Sequence, residues 1–352
     1  MNSVEIPLPD DWHVHLREGE LLQAVIAHTA AHFRYAMVMP NLRPPITTAA
    51  LAVQYRETIL ACVGDQYEHF RPQFALFMSD ALTRDDLAHG LESGAIAAVK
   101  YYPAGATTNS DQSRGTLLDY LDQLEMMAEL GVRLLVHAES TDPAVDIFDR
   151  EAAFLQTELA EVCVRIPELK LTVEHVSTAA GVEFVAAHPN VVATITPHHL
   201  WCERSDLLAS GMKPDLYCKP IINSARDRAA LVAAATSGPS KFLFGSDSAP
   251  HPTRSKYGPS AAAGIFNAPF GIQVVAEVFF QANRLDALGD FVSHNGVRAY
   301  GVEPCTQMVR LVRTQAPEPS PDEPVVHLAD GDSIVMFGSQ VAASWRLEHL
   351  ST

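Results

Sequence analysis

Cysteine is sparse and scattered in this chain of 352 residues: Cys62, Cys163, Cys202, Cys218 and Cys305 are the five present, with no C-x-x-C pair. That spacing argues against a disulfide framework or a thiolate metal site and fits a reducing compartment. Long apolar runs are missing too. None approaches the roughly 18 residues of a membrane span, and the opening MNSVEIPLPDDW lacks the charged-then-apolar plan of a signal peptide, so a cytoplasmic location is expected. Cations are outnumbered, 25 Lys and Arg against 42 Asp and Glu, for a formal charge of −17. Nucleic acid and anionic membrane are therefore not expected as partners, because both need a basic footprint. A small anionic substrate remains compatible, because a local cluster of cations outweighs a distant acidic surface. No G-x-G-x-x-G follows a first strand, which counts against a doubly wound dinucleotide fold.

What is present is a core-forming composition, 47% hydrophobic and 19% charged. Short β-rich runs recur at 10–16, 35–40, 73–79, 95–103, 132–139, 169–177, 191–199 and 241–251. Between them lie segments of helical spacing, as at 21–33, 117–131 and 181–188, with Gly131 placed to stop the second. Eight strands, apolar on both faces and alternating with helices, predict an α/β fold closed as a (β/α)8 barrel. Past about residue 314 the character changes. APEPSPDEP (316–324) reads as a spacer, and VVHLADGDSIVMF (325–337) as a β pair turning at Asp330-Gly331. We expect the barrel over 1–314 and a short C-terminal β extension, 315–352, packing on it.

The stretch DDWHVHLREGE (10–20) carries the first chemical signal. Residues i, i+2 and i+4 of a strand share a face, so His13, His15 and Arg17 would point one way and Trp12, Val14 and Leu16 the other. At the corresponding ends of later strands stand Asn41, Lys100, His137, His175, Asp247 and His251. Each alone has an ordinary structural role: a core histidine, a snorkelling lysine, an aspartate in a turn. Independent structural roles do not explain ligand-type residues at the same end of strand after strand, which is where a barrel keeps its working groups. Imidazole and carboxylate are zinc-type ligands. A protonated Lys100 would be repelled by a metal; as the CO2 adduct of its neutral amine, an N6-carboxylysine, it becomes an anion able to bridge two ions. On this reading His13, His15 and Asp247 hold one ion, His137 and His175 the other, and Lys100 both. His198 and His199 then serve to anchor the surrounding loops.

That pattern on barrel strands resembles the amidohydrolase superfamily, a metal-dependent hydrolase type of the TIM barrel. DDWHVHLREGE, MPNLRPP, KYYPAGATTN, HAE, EHVST, ITPHHL, FGSDSAPH and FNAP, spanning 10 to 269, together resemble the shorter, bacterial (class II) dihydroorotase family. The resemblance implies two Zn2+ per subunit and interconversion of N-carbamoyl-L-aspartate and L-dihydroorotate in pyrimidine synthesis. It implies that Asp247 acts as general base and then acid. It places substrate contacts at His15, Arg17, Asn41, His137 and His251, with main-chain groups of Lys219 and Ala263. It also implies a mobile loop at 104–112, with Thr107 and Thr108 closing over the ligand, and a homodimer. Lys219 is a long cation where an apolar residue is expected, with only its main chain in use, and 251–264 is unusually rich in Ala and Pro. The rivals are a hydantoinase or dihydropyrimidinase, which needs no arginine placed like Arg17, and a catalytically silent scaffold, which would lack metal ligands.

Overall fold

A computed structural model describes residues 2–110, 113, 115–314 and 324–350; residues 316–323 of the spacer expected at 316–324, and loop positions 111 and 112, lie outside the described residues. The strands are β1 (Ser3–Pro7), β2 (Asp11–Val14), β3 (Tyr35–Val38), β4 (Arg71–Phe77), β5 (Ala98–Tyr101), β6 (Arg133–Val136), β7 (Leu171–Val173), β8 (Val191–Ile195), β9 (Phe242–Phe244), β10 (Met308–Arg313), β11 (Val325–His327), β12 (Ser333–Val335) and β13 (Trp345–His349). β2 to β9 form one eight-stranded parallel sheet in chain order, the (β/α)8 arrangement. Beyond the ladders the ends of the sheet meet: the Asp247 N–H donates to His13 O at 2.8 Å and the His15 N–H to Ser248 O at 3.0 Å. The buried Asp11 carboxylate reinforces this seam by accepting from Ser246 N–H at 2.7 Å and Ser246 Oγ at 2.5 Å.

Alternation along each strand divides the core in two. Val14, Val38, Leu76, Val99, Leu134 and Val173 face outward and pack with Leu22, Ile26, Ile59 and Leu124 of the covering helices. Met37, Ala75, Ala98, Leu135 and Leu243 fill the inside. Trp12 departs from the expected alternation: it joins this inner group instead of Val14 and Leu16, stacked 4.0 Å from the Tyr300 ring. The β2–β3 register shifts between Asp11 and Val14, an irregularity of the kind that re-aims side chains. Helices start at hydroxyl caps, Thr48 accepting from Leu51 N–H, Thr83 from Asp86 N–H and Thr178 from Gly181 N–H. Gly131, at φ 71°, ends the helix Leu121–Leu130, where an L side chain would be strained.

Three strands were not visible as periodic runs. β1, β10 and β13 make a separate antiparallel sheet that joins the N-terminus to the tail. β11 and β12 pair antiparallel around Asp330-Gly331, and Leu328 and Ile334 pack on Val25, Phe266 and Ala268.

Candidate active site

The candidate site residues lie at or just beyond the strand ends. His15 follows β2, His137 follows β6, and His175 and Asp247 stand two and three residues past β7 and β9, while Lys100 is inside β5. Arg17, His175 and Asp247 have φ of 63°, 41° and 44°, left-handed values that non-glycine residues rarely take. Such strain persists only where the surroundings over-determine it. For His175 they do: its N–H donates to Thr194 Oγ1 at 2.7 Å. Ser177 and Thr178, just beyond it, are held by Glu151, which accepts from Ser177 N–H at 2.8 Å and Thr178 N–H at 3.0 Å.

Two groups of ligand atoms converge. His13 Nε2, His15 Nε2 and Asp247 Oδ1 lie 3.2–3.4 Å apart. His13 Nδ1 donates to Glu174 Oε2 at 2.7 Å and His15 Nδ1 to Asn41 Oδ1 at 2.8 Å. Burial pushes both imidazoles down, so each is neutral and its single proton is already committed. The two Nε2 atoms therefore present bare lone pairs to each other and to a carboxylate oxygen, which is how a cation is held and how hydrogen bonds are not. In the second group His137 donates from Nε2 to Glu139 Oε2 at 2.6 Å, leaving its bare Nδ1 3.1 Å from His175 Nε2. The His13 and His175 rings, 5.0 Å apart, place the groups side by side. The carboxylates behind the rings orient them as metal ligands require.

Lys100 lies with them, fully buried, its Nζ without a hydrogen-bond partner among the described residues and 5.0 Å from the Tyr102 ring. Burial brings its pKa down to about 8, against the fields of Glu174 and Asp247. A bare ammonium there is costly, and a buried orphan of this kind calls for a further group. Bound cations would satisfy that demand, so the residues fit a metal centre.

A small cavity opens over these groups, lined by His13, His15, Arg17, Asn41, Tyr102, Thr107, Thr108, His137, His175, Lys219, Asp247, Ala249, Ala263 and Gly264. Arg17 donates from Nε to Pro250 O at 3.2 Å, and its Nη2 lies 3.1 Å from His251 Nε2. The loop from 104 is tied across the mouth: Asn41 Nδ2 donates to Thr108 O at 2.9 Å and Asn109 Nδ2 to Asn41 O at 2.8 Å. Contrary to expectation, the Lys219 side chain is also engaged, its Nζ donating to Ala106 O at 2.6 Å.

His198 and His199 are buried anchors beside the cavity. His199 Nε2 donates to Pro220 O at 3.1 Å, and His198 Nδ1 accepts from Asn267 Nδ2 at 3.2 Å. With Cys218 they make a second close group of ligand-type atoms, but the His199 nitrogen that faces Cys218, Nε2, is the one whose proton goes to Pro220 O. Glu139, Glu174 and Tyr102 were not anticipated. Glu139 and Tyr102 stand two residues from His137 and Lys100, the same spacing that paired His13 with His15.

A parallel barrel with paired imidazole and carboxylate donors at the C-terminal mouth of its strands defines a metal-dependent hydrolase. The comparisons agree and narrow it. The amidohydrolase family matches residues 10–304. The dihydroorotase of Aromatoleum aromaticum is 43% identical over 340 residues, covering 95% of this chain and 98% of the relative. That of Chelativorans sp. is 44% identical over 349 residues, covering 99% and 100%. Among solved structures, Saccharomyces cerevisiae dihydroorotase in complex with 5-fluoroorotic acid superposes with a TM-score of 0.88 at 29% identity, covering all of both chains. Campylobacter jejuni dihydroorotase gives 0.86 at 32%, covering 99% and 98%. An Arthrobacter aurescens L-hydantoinase gives 0.71 at 17%, covering 91% of this chain and 78% of its own, and shares the fold. The chain belongs to the amidohydrolase family, and within it to the dihydroorotases.

Proposed function

We propose that the chain interconverts N-carbamoyl-L-aspartate and L-dihydroorotate, the ring-closing step of pyrimidine synthesis. The observation that carries this choice of substrate is Arg17. Its guanidinium stands at the rim with His251 at 3.1 Å, on the same mouth as Asn41, a receptor for a carboxylate that a neutral cyclic amide does not need. His13, His15 and Asp247 would hold one zinc ion, His137 and His175 the other, and Lys100 as N6-carboxylysine both. Bound there, the ions supply Lewis-acid polarisation of the amide carbonyl and of the attacking water.

The chain's own groups do the rest. Arg17, Asn41 and His251 orient the carboxylate, with main chain at Lys219 and Ala263 receiving the ring's polar edge. His15 and His137, facing the same cavity, lie against the reacting carbonyl. In ring opening, Asp247 takes a proton from water as its oxygen bonds to the carbonyl carbon. It passes that proton to the amide nitrogen as the C–N bond breaks; ring closure is the reverse. Thr107 and Thr108 exclude water from above. The wider reading is a homodimer acting in the cytoplasm, its barrel at 1–314 doing the chemistry with 315–352 as a packed extension. Among the described residues no helix is long and apolar enough to cross a membrane.

The test is a ring-opening assay with L-dihydroorotate and dihydrouracil, paired with metal analysis. Turnover of dihydroorotate with two zinc ions per chain is the expected result. A preference for dihydrouracil would move the protein to the hydantoinase type.

A further inference from the structure

Lys256 is a buried cation that the chemistry above leaves unused. It ends the helical turn Thr253–Lys256 and is 4% exposed. Its Nζ donates to two main-chain carbonyls, Tyr217 O at 2.9 Å and Gly264 O at 2.6 Å. No described carboxylate forms an ion pair with it; Asp215 and Cys218 act on it through their fields only. The two carbonyls belong to the two segments that bring main chain to the mouth, the one leading to Lys219 and the one holding Ala263 and Gly264. These segments also join directly, Gly264 N–H to Tyr217 O at 2.9 Å.

The second segment follows a path that needs such fastening. Gly264 has φ +151°, and a Cβ there would stand 2.6 Å from Ala249 O. Its neighbour Ala263 offers its carbonyl to His251 Nε2 at 3.0 Å, and the same ring nitrogen meets Arg17. A continuous set of contacts therefore runs from Lys256 through Gly264 and Ala263 to the carboxylate clamp. The charge reaches the clamp as well. Burial pushes His251 down first, and the fields of Arg17 and Lys256 push it further. At the back of a pocket wall such a charge is poorly screened.

We propose that Lys256 is a positioning residue for the substrate carboxylate, clamping both main-chain segments of the rim and supplying a buried positive charge behind them. It touches no substrate. The role rests on the carboxylate-clamp reading, and the experiment separates the two.

Full-length Lys256→Met and Lys256→Gln are assayed with L-dihydroorotate and with N-carbamoyl-L-aspartate over a range of ionic strength. We expect KM to rise about tenfold for dihydroorotate and further for the more highly charged carbamoyl aspartate, with kcat within about threefold of wild type. The fall of kcat/KM with added salt should flatten, an effect that loss of packing alone does not produce. Unchanged KM and salt dependence in variants that melt like wild type would overturn the proposal. So would equal losses of kcat and kcat/KM at constant KM. The glutamine variant keeps a donor and loses the charge, so it carries the test if the methionine variant does not fold. If neither folds, Lys256 serves stability alone and the proposal falls. Arg17→Ala run in parallel tests the layer beneath: an unchanged KM there removes the clamp itself, whereas a raised KM there with normal Lys256 variants rejects Lys256 only.

Discussion

His13 and His15 each have one nitrogen bonded to an orienting oxygen and the other bare, and that division of labour sets what the site can hold. The side chains that converge here were legible because imidazole, amine and carboxylate at successive strand ends are local facts of composition and order. Glu174 was not, since nothing in EHVST says that the carboxylate turns back to the ring of His13, 161 residues earlier. Lys100 is the sharpest case for a test. Lys100→Ala removes the group both ions would share, so the protein should fold, lose turnover and fail to retain two zinc ions by metal analysis after dialysis. Retention of both would count against a bridging adduct. Asp247→Asn should keep much of the metal yet lower kcat by about 10²–10⁴-fold, the range of a positioned proton-transfer group. Full turnover would end its role in moving protons.

Strands and helices were found where their periodicity indicated, and most of the barrel strands are shorter than expected. The run at 169–177 narrows to β7, Leu171–Val173, and that at 241–251 to β9, Phe242–Phe244. The residues left out include those of the candidate site: past the last ladder bond the backbone is free to take the left-handed turns seen at His175 and Asp247. The loop from 104 shows the complementary limit. Its polar, small-residue sequence marks a loop, but that Asn41 and Lys219 would tie it down from two sides depends on partners far away in the chain. Asn109→Ala deletes one such tie, to Asn41 O, at a position whose φ of 57° suits asparagine better than alanine. A single neutral hydrogen bond is worth about 0.5–1.5 kcal/mol, so kcat/KM should fall roughly two- to twelvefold. Amide exchange over 105–110 should quicken; unaltered exchange would show that this tie does not hold the loop.

The tail is part of the body it follows. β13 pairs with β10, which pairs with β1, so the two ends of the chain share one sheet. Trp345 in β13 is 5% exposed, donates from Nε1 to Glu277 Oε2 at 2.8 Å and packs edge-on against Phe280. Trp345→Ala should therefore cost about 3–5 kcal/mol of stability, as buried Trp truncations do. Because the site lies elsewhere, kcat per folded molecule should be unchanged; a melting temperature equal to wild type would show the tail to be dispensable. Residue chemistry and short-range periodicity carry the number of barrel strands, the alternation with helices, the hairpin at Asp330-Gly331 and the types of side chain at the strand ends in their order. These follow from side chains and backbone preferences that act within a few positions. Which nitrogen of each histidine is bare, why Trp12 turns inward, how Glu174 and Lys256 brace the site and how β1 finds β10 arise from contacts between positions tens to hundreds of residues apart. Those exist only once the barrel has closed and excluded water from between them.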